Sequence, residues 1–555
     1  MSSSTSPNMA ARRTRIQRAA DTFVAKLLKL PDATSSFVVR KDLKVPMRDG
    51  VVLLADHVVP VCTSRGTILV RGPYGFDAVG FTAFGGVLAR YGYDVVLART
   101  RGTFGSGGDF VPFAREMDDA ADTVQWLRDQ PFFGGSFATF GGSYLGFTQW
   151  ALLMDPPREL TACVMQVSPH DVSAIMYHGG AFNLDLWLGW CDQIVHQEDL
   201  SLVRAQVRAS RSARRQKPAN AVLPVADAAD KLCKGRAPWF REWVTERDLT
   251  HPQWAGLDLS AALDRVNVPV LLQTGWQDFF LDQTLEQYAH LRARGVNVAL
   301  TIGPWTHGDT ALRGYATLIP EALAWYAEHH DGRRNAVRPS PVRIEVTGSN
   351  DRREFANWPP PADERALYLH PDGSLTDEPA PSDASAVTFT YDPSDPTPTV
   401  GGPLFGEKVN GVRNDDELAH RADVLTFTGP ALSEPIEIIG IAVIELRHHS
   451  DNPHADIFVR ISDVDRKGRS RNVTEGFTRL DPAGQNGQAL RLEFDAAAHR
   501  FLVGHRIRLT ISGGSFPRFE RNLGTGEDPA NSTTLAVSHR SIDTSRSRVL
   551  LPVFE

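Results

Sequence analysis

Cysteine is scarce in this chain. The four that occur, Cys62, Cys163, Cys191 and Cys233, are scattered without C-x-x-C spacing, which argues against a disulfide scaffold or a thiolate metal cluster and for reduced, mostly buried thiols. Long apolar runs are missing too: no stretch reaches the roughly 18 residues that a membrane-spanning helix requires. The body carries no long basic run and the formal charge is −7, so a nucleic-acid binder, which needs a basic stripe, is disfavoured. There is no H-E-x-x-H, and the pairs His329-His330 and His448-His449 are adjacent residues that would diverge on a helix or strand; no metal is expected. The Ser-rich segment Met1 to Ala11 lacks the apolar core of a secretory signal, so a cytoplasmic location is expected. Arg12 to Leu30, with Ile16, Phe23, Leu27 and Leu28 apolar, reads as a basic amphipathic helix, expected as an arm packed on the main body, with contact to a membrane surface as the alternative.

What is present is a chain of 555 residues with an ordinary apolar share of 42%, long enough for two or three cores. Phe37 to Lys44 and Val51 to Val59 read as a hairpin around Asp49-Gly50. Buried strands follow at Thr67 to Arg71, Asp94 to Ala98 and Ser136 to Phe140, separated by helical spacing, as in a parallel sheet covered on both faces. The glycine-rich loop Arg99 to Gly108 has no following Gly-Lys-Ser/Thr, so it reads as a packing loop rather than a phosphate cradle. Ala174 to Trp243 shows no strand alternation; its aromatics Tyr177, Phe182, Trp187 and Trp190 and the basic helical stretch Arg204 to Arg215 suggest a helical insertion. Strand and helix alternate again from Val268, and beyond His330 turn-bounded short strands announce an all-β unit. The expected division is an arm over 1–37, an α/β domain over 38–155 and 255–335, a helical cap over 156–254, and a β jelly-roll domain over 336–555.

Ser136 to Gly146 is the stretch around which the rest is arranged. A short strand runs into Gly141-Gly-Ser-Tyr and then a helix, which puts Ser143 at a strand-to-helix corner where a hydroxyl is pushed out of the sheet. The generic elbow has glycine two residues after the serine, whereas here Leu145 holds that place and Gly146 comes next. Asp278 lies just past one predicted strand and His307 just past the following one. Alone, His307 fits a satisfied loop histidine and Asp278 a helix N-cap. Together, in the order Ser, Asp, His at strand carboxyl ends, they fit the triad of an α/β-hydrolase. In that reading His307 takes the serine proton and Asp278 holds the imidazole. The Tyr144 N–H and the Tyr74 hydroxyl, in the loop after an early strand, are the candidate oxyanion donors.

Met47-Arg-Asp-Gly50, Gly72-Pro-Tyr74, Thr100-Arg-Gly102, Gly141-Gly-Ser-Tyr-Leu-Gly146, Gly275-Trp-Gln-Asp278 and Gly303-Pro-Trp-Thr-His307 together resemble the cocaine esterase and X-Pro dipeptidyl-peptidase group of serine hydrolases. Pro430 to Pro435, Gly504-His-Arg506 and Ser515 to Asn522 resemble its C-terminal jelly roll. The resemblance implies an α/β-hydrolase domain, an inserted helical cap and a β jelly roll, with Ser143, Asp278 and His307 as triad, Tyr74 and Tyr144 at the oxyanion hole, and no cofactor. It also makes the glycine three places after the serine the family's own form of the elbow. Members acting on α-amino acyl groups carry acidic residues just after the triad aspartate; here Phe279 and Phe280 stand there, so an apolar acyl pocket with Phe280 and Trp190 in its wall is expected. The expected substrate is a small ester, with an amide or X-Pro peptide as the alternative, for which Asp185 in the cap is the nearest amine-binding carboxylate. A non-catalytic binding protein using its jelly roll is the remaining reading, and self-association into a homo-oligomer is left open.

Overall fold

The computed structural model describes residues 22–23, 25–75, 85–199, 204, 207–208, 210–333, 338, 340–406, 408–482 and 489–555. The Ser-rich N-terminus, most of the expected basic arm and part of the stretch 204–215 lie outside the described residues.

A ten-stranded sheet is the frame on which the site is built. In chain order its elements are β1 (Phe37–Pro46), β2 (Val52–Pro60), β3 (Thr67–Gly72), β4 (Asp94–Arg99), α1 (Glu116–Arg128), β5 (Phe137–Gly142), α2 (Tyr144–Leu153) and β6 (Leu160–Gln166). After the cap helices α3 (Leu184–Ile194), α4 (Ser212–Asn220) and α5 (Pro238–Thr245) come β7 (Val270–Gln277), α6 (Leu281–Ala293), β8 (Val298–Thr306), α7 (Tyr315–His329), β9 (Val342–Val346) and β10 (Asp351–Phe355). The spatial order is β1-β2-β4-β3-β5-β6-β7-β8-β9-β10, parallel from β4 through β9 and antiparallel at both margins. Every position of β3, β4 and β7 is buried, which is why these strands read as continuous apolar runs instead of alternating ones.

Two expected boundaries move. The cap, expected from residue 156, begins only after Gln166, because β6 pairs between β5 and β7 inside the main sheet. At the other end, Arg343 to Val346 falls inside the β domain expected from residue 336, but β9 pairs with β8 in parallel and carries β10 with it, so the first sheet runs to Phe355. A five-residue strand looks the same in either sheet, and only the partner decides. Ile436–Gly440 and Val443–Ser450, close in sequence, are two separate strands divided at Gly440 with φ 138°.

The strands after Phe355 form a nine-stranded and a four-stranded antiparallel sheet around their own apolar core of Leu369, Ile444, Ile457, Leu509 and Leu551. The cap shares the hydrolase core: Phe182, Trp187, Trp190 and Trp243 are continuous with Phe140, Phe147 and Leu272. Ala181, Phe458, Phe477 and Phe519 form a small separate cluster where cap meets β domain. No helix among the described residues is long and apolar enough to cross a membrane.

Candidate active site

Ser143 closes β5 with φ 59° and ψ −127°, a conformation that a side-chain-bearing residue holds only when its surroundings enforce it. Its N–H donates to the carbonyls of Gln166 (3.0 Å) and Val167 (3.1 Å), while its own carbonyl accepts from the N–H groups of Gly146 and Phe147. The unusual place of the glycine follows from the packing. A Cβ on Gly146 would lie 2.2 Å from Ser168 Oγ, so the helix is pressed against the β6 exit at that residue. Leu145, one earlier, fills space left by Gly72 and Gly141, where a Cβ would come within 2.6 Å and 2.4 Å of it.

Asp278 and His307 leave the neighbouring strands β7 and β8 at the same edge of the sheet. The Asp278 side chain is fully buried; its Oδ1 lies 2.7 Å from His307 Nδ1 and its Oδ2 accepts from Thr274 Oγ1 at 2.9 Å. With both carboxylate oxygens engaged, the group has one orientation, and the imidazole is presented by its Nδ1 side. Phe279 stacks on the His307 ring at 4.1 Å and Phe280 meets it edge-on at 5.3 Å. The β domain abuts the residues just before both groups. Gln277 Nε2 donates to the Val473 carbonyl at 3.1 Å, and a Cβ on Gly411 would lie 2.9 Å from Thr306 Cγ2.

Tyr74 follows β3, and its hydroxyl meets both the Ser143 side chain and the indole N–H of Trp190, the latter at 3.3 Å. Burial raises its pKa, keeping the phenol protonated and able to donate. Tyr144 divides its functions. Its backbone N–H is the first of α2, outside the helical ladder. Its phenol turns away, donating to Glu116 Oε1 at 2.9 Å and accepting from the Phe113 N–H at 2.8 Å. Glu116 is in turn paired with Arg71 at 3.0 Å; burial raises its pKa while Arg71 opposes the shift. This buried Arg71–Glu116–Tyr144 chain was not read from the sequence; its one signal was a charged residue closing an apolar strand.

Trp190 is buried, stacked on Phe113 (5.7 Å) and parallel to the Tyr144 ring (6.3 Å). Phe280 is 4% exposed, whereas Phe279 is only partly buried. Asp185 does not face the serine loop: its Oδ2 accepts the Phe405 N–H of the β domain at 2.8 Å, and burial pushes its pKa up to about 6. The glycine-rich loop is held by a bidentate Arg101–Asp119 pair and packs Phe104 against Gly75, beside Tyr74. Among the described residues, one group of His, Cys, Asp and Glu side chains is close enough to hold a metal ion: His178, Asp282 and Asp495.

Comparison with known proteins agrees with this architecture. Residues 49–309 match the family model for X-Pro dipeptidyl-peptidase (S15 family), and 335–550 match that for the X-Pro dipeptidyl-peptidase C-terminal non-catalytic domain. A cocaine esterase of Rhodococcus sp. is 30% identical over 542 residues, covering 88% of this chain and 93% of that protein. Among solved structures, an α-amino acid ester hydrolase superposes with a TM-score of 0.78 at 23% identity, over 94% of this chain and 98% of the other. An aminopeptidase from a marine sediment archaeon, Thaumarchaeota archaeon, superposes at 0.79 with 19% identity over 100% of both chains; at such identities both attest the fold. Sequence kinship along nearly the whole length and a shared three-part fold lead to one conclusion: the chain belongs to the cocaine esterase and X-Pro dipeptidyl-peptidase family of serine hydrolases, and it is an enzyme.

Proposed function

We propose that the enzyme hydrolyses carboxylic esters through an acyl-enzyme formed on Ser143. His307 removes the Ser143 proton during attack and returns it to the departing alcohol; Asp278 holds the imidazole tautomer and offsets the charge of the imidazolium. The Tyr74 hydroxyl and the Tyr144 N–H donate to the tetrahedral oxyanion, and water repeats the cycle to release the acid. The observation that carries this reading is the 2.7 Å His307–Asp278 contact at the ends of two adjacent strands, in the same sheet whose strand β5 ends at Ser143, held in the φ 59° corner with Tyr74 against it.

Ester rather than free-amine peptide chemistry is favoured by what surrounds the imidazole. Phe279 and Phe280 occupy the positions where a carboxylate would pair an ammonium group, and Asp185 is committed to the Phe405 N–H. Trp190 and Phe280 are the proposed acyl-pocket walls; an aromatic or aliphatic acyl group suits them. The test sets p-nitrophenyl esters of graded acyl size beside Xaa-Pro p-nitroanilides, with Ser143→Ala as the blank. Ser143-dependent cleavage of the esters alone is expected. Comparable cleavage of the Xaa-Pro amides would overturn the ester assignment, and full activity in Ser143→Ala would overturn the mechanism.

A further inference from the structure

A small cavity lies where cap, hydrolase and β domain meet. It is lined by His178 and Asn183 from the cap, Asp282 from the first turn of α6, and Asp495 and Arg518 from the β domain; Asp278 and Phe279 form part of the same wall. One ligand atom from each of His178, Asp282 and Asp495 lies within 4.8 Å of the others, the spread expected of donors that surround a cation at roughly 2.0–2.4 Å.

The cluster is poorly satisfied by protein. Among the described residues neither the His178 ring nor the Asp282 carboxylate makes a hydrogen bond; His178 only stacks on Phe519 at 6.1 Å. Asp495 Oδ2 stands 3.6 Å from Arg518, whose other arm is bound to Glu475. Arg518 therefore divides one positive charge among Glu475, Asp495 and Asp282, and the cluster keeps an excess of negative charge. Independently, Asn183 is 4% exposed, lines this cavity, stands at the N-cap of α3 without a side-chain capping bond, and its Oδ1 has no hydrogen-bond partner. A buried amide oxygen without a donor is costly, so such groups are normally occupied. Asp282 itself reaches solvent, which leaves an entry path.

We propose that His178, Asn183, Asp282 and Asp495 form a structural site for one divalent cation of the zinc or manganese kind, clamping the three domains together against the wall that contains Asp278. One imidazole nitrogen with three oxygens suits zinc or manganese better than calcium or magnesium, which favour all-oxygen shells. The site was beyond sequence reading because its donors come from three separate regions of the chain.

The test uses the full-length enzyme, stripped with EDTA and titrated with manganese chloride or zinc sulfate. Elemental analysis after desalting is expected to give about one equivalent bound, and the melting temperature to rise by about 3 °C at saturation. Asp282→Asn and His178→Gln are each expected to weaken binding at least tenfold and to remove the melting shift. Asp282→Asn is the safer variant for folding, since its carboxylate is solvent-accessible and makes no hydrogen bond. Absence of binding to the stripped wild type, or binding by both variants as tight as by wild type, overturns the proposal.

Discussion

Tyr74→Phe isolates one oxyanion donor from everything else at the site. The ring stays, edge-on to Tyr144 at 6.4 Å, and only the hydroxyl that meets Ser143 and Trp190 is removed. One donor aimed at the developing oxyanion contributes about 2.7–4 kcal/mol to the transition state, so kcat is expected to fall by about 10²–10³-fold. Substrate binding precedes the charge, so KM should hardly change. The Trp190 contact supplies an internal control. At 3.3 Å its indole N–H makes a long hydrogen bond to the Tyr74 oxygen, worth about 0.5–1.5 kcal/mol, so Trp190→Phe should slow the enzyme roughly two- to tenfold by loosening that donor. In the Tyr74→Phe background the bond no longer exists, and the same Trp190 change should lose that part of its effect on kcat; what remains measures packing alone. The assay is kcat for a p-nitrophenyl ester, with the pre-steady-state burst separating acylation from deacylation, and melting curves as the folding control. A Tyr74→Phe enzyme within threefold of wild-type kcat, or a loss confined to KM, would refute the assignment.

Two further changes probe the corner and the cap. Ser143 holds a left-handed backbone that costs about 1–3 kcal/mol for a side-chain-bearing residue, so Ser143→Gly should melt higher than Ser143→Ala while both are inactive; equal or reversed melting temperatures would show that the corner is unstrained. Asp185 has a folded pKa of about 6, above the roughly 3.9 of an unfolded aspartate, so the folded state favours the protonated form and loses stability as pH rises between those values. Asp185→Asn keeps an acceptor for the Phe405 N–H and removes the charge. It should be more stable than wild type above pH 7 by up to about 3 kcal/mol, with no difference below pH 4, as read from melting at pH 4, 5 and 8.

Much of the molecule was legible because each signal was local. Strands buried on both faces announce themselves as apolar runs, and the Gly-Gly-Ser-Tyr corner, Asp278 and His307 each follow such a run directly. What escaped was what depends on partners. Nothing local distinguishes β9 as the next strand of the first sheet from the first strand of a new domain, and the apolar run Ala162 to Val167 reads as one more strand without showing that its neighbours are β5 and β7. The Arg71–Glu116–Tyr144 chain escaped for the same reason: its members sit on β3, α1 and α2. The displaced glycine of the elbow was visible, but its cause, Ser168 against position 146, lies over twenty residues downstream.

The strand pairing that carries the first sheet to Phe355 also limits how this enzyme can be taken apart. Cutting at residue 335, where the second family model begins, would strip β9 and β10 and leave β8, the strand that delivers His307, as a raw edge with unpaired backbone groups. The stretch from 342 to 355 is thus a seam stitched into the neighbouring domain, with Arg353 paired to Glu437 and Asp351 to Arg500 across it. A recombinant hydrolase half would need to keep that seam, and a lineage that exchanged its β domain would have had to rejoin the chain beyond it.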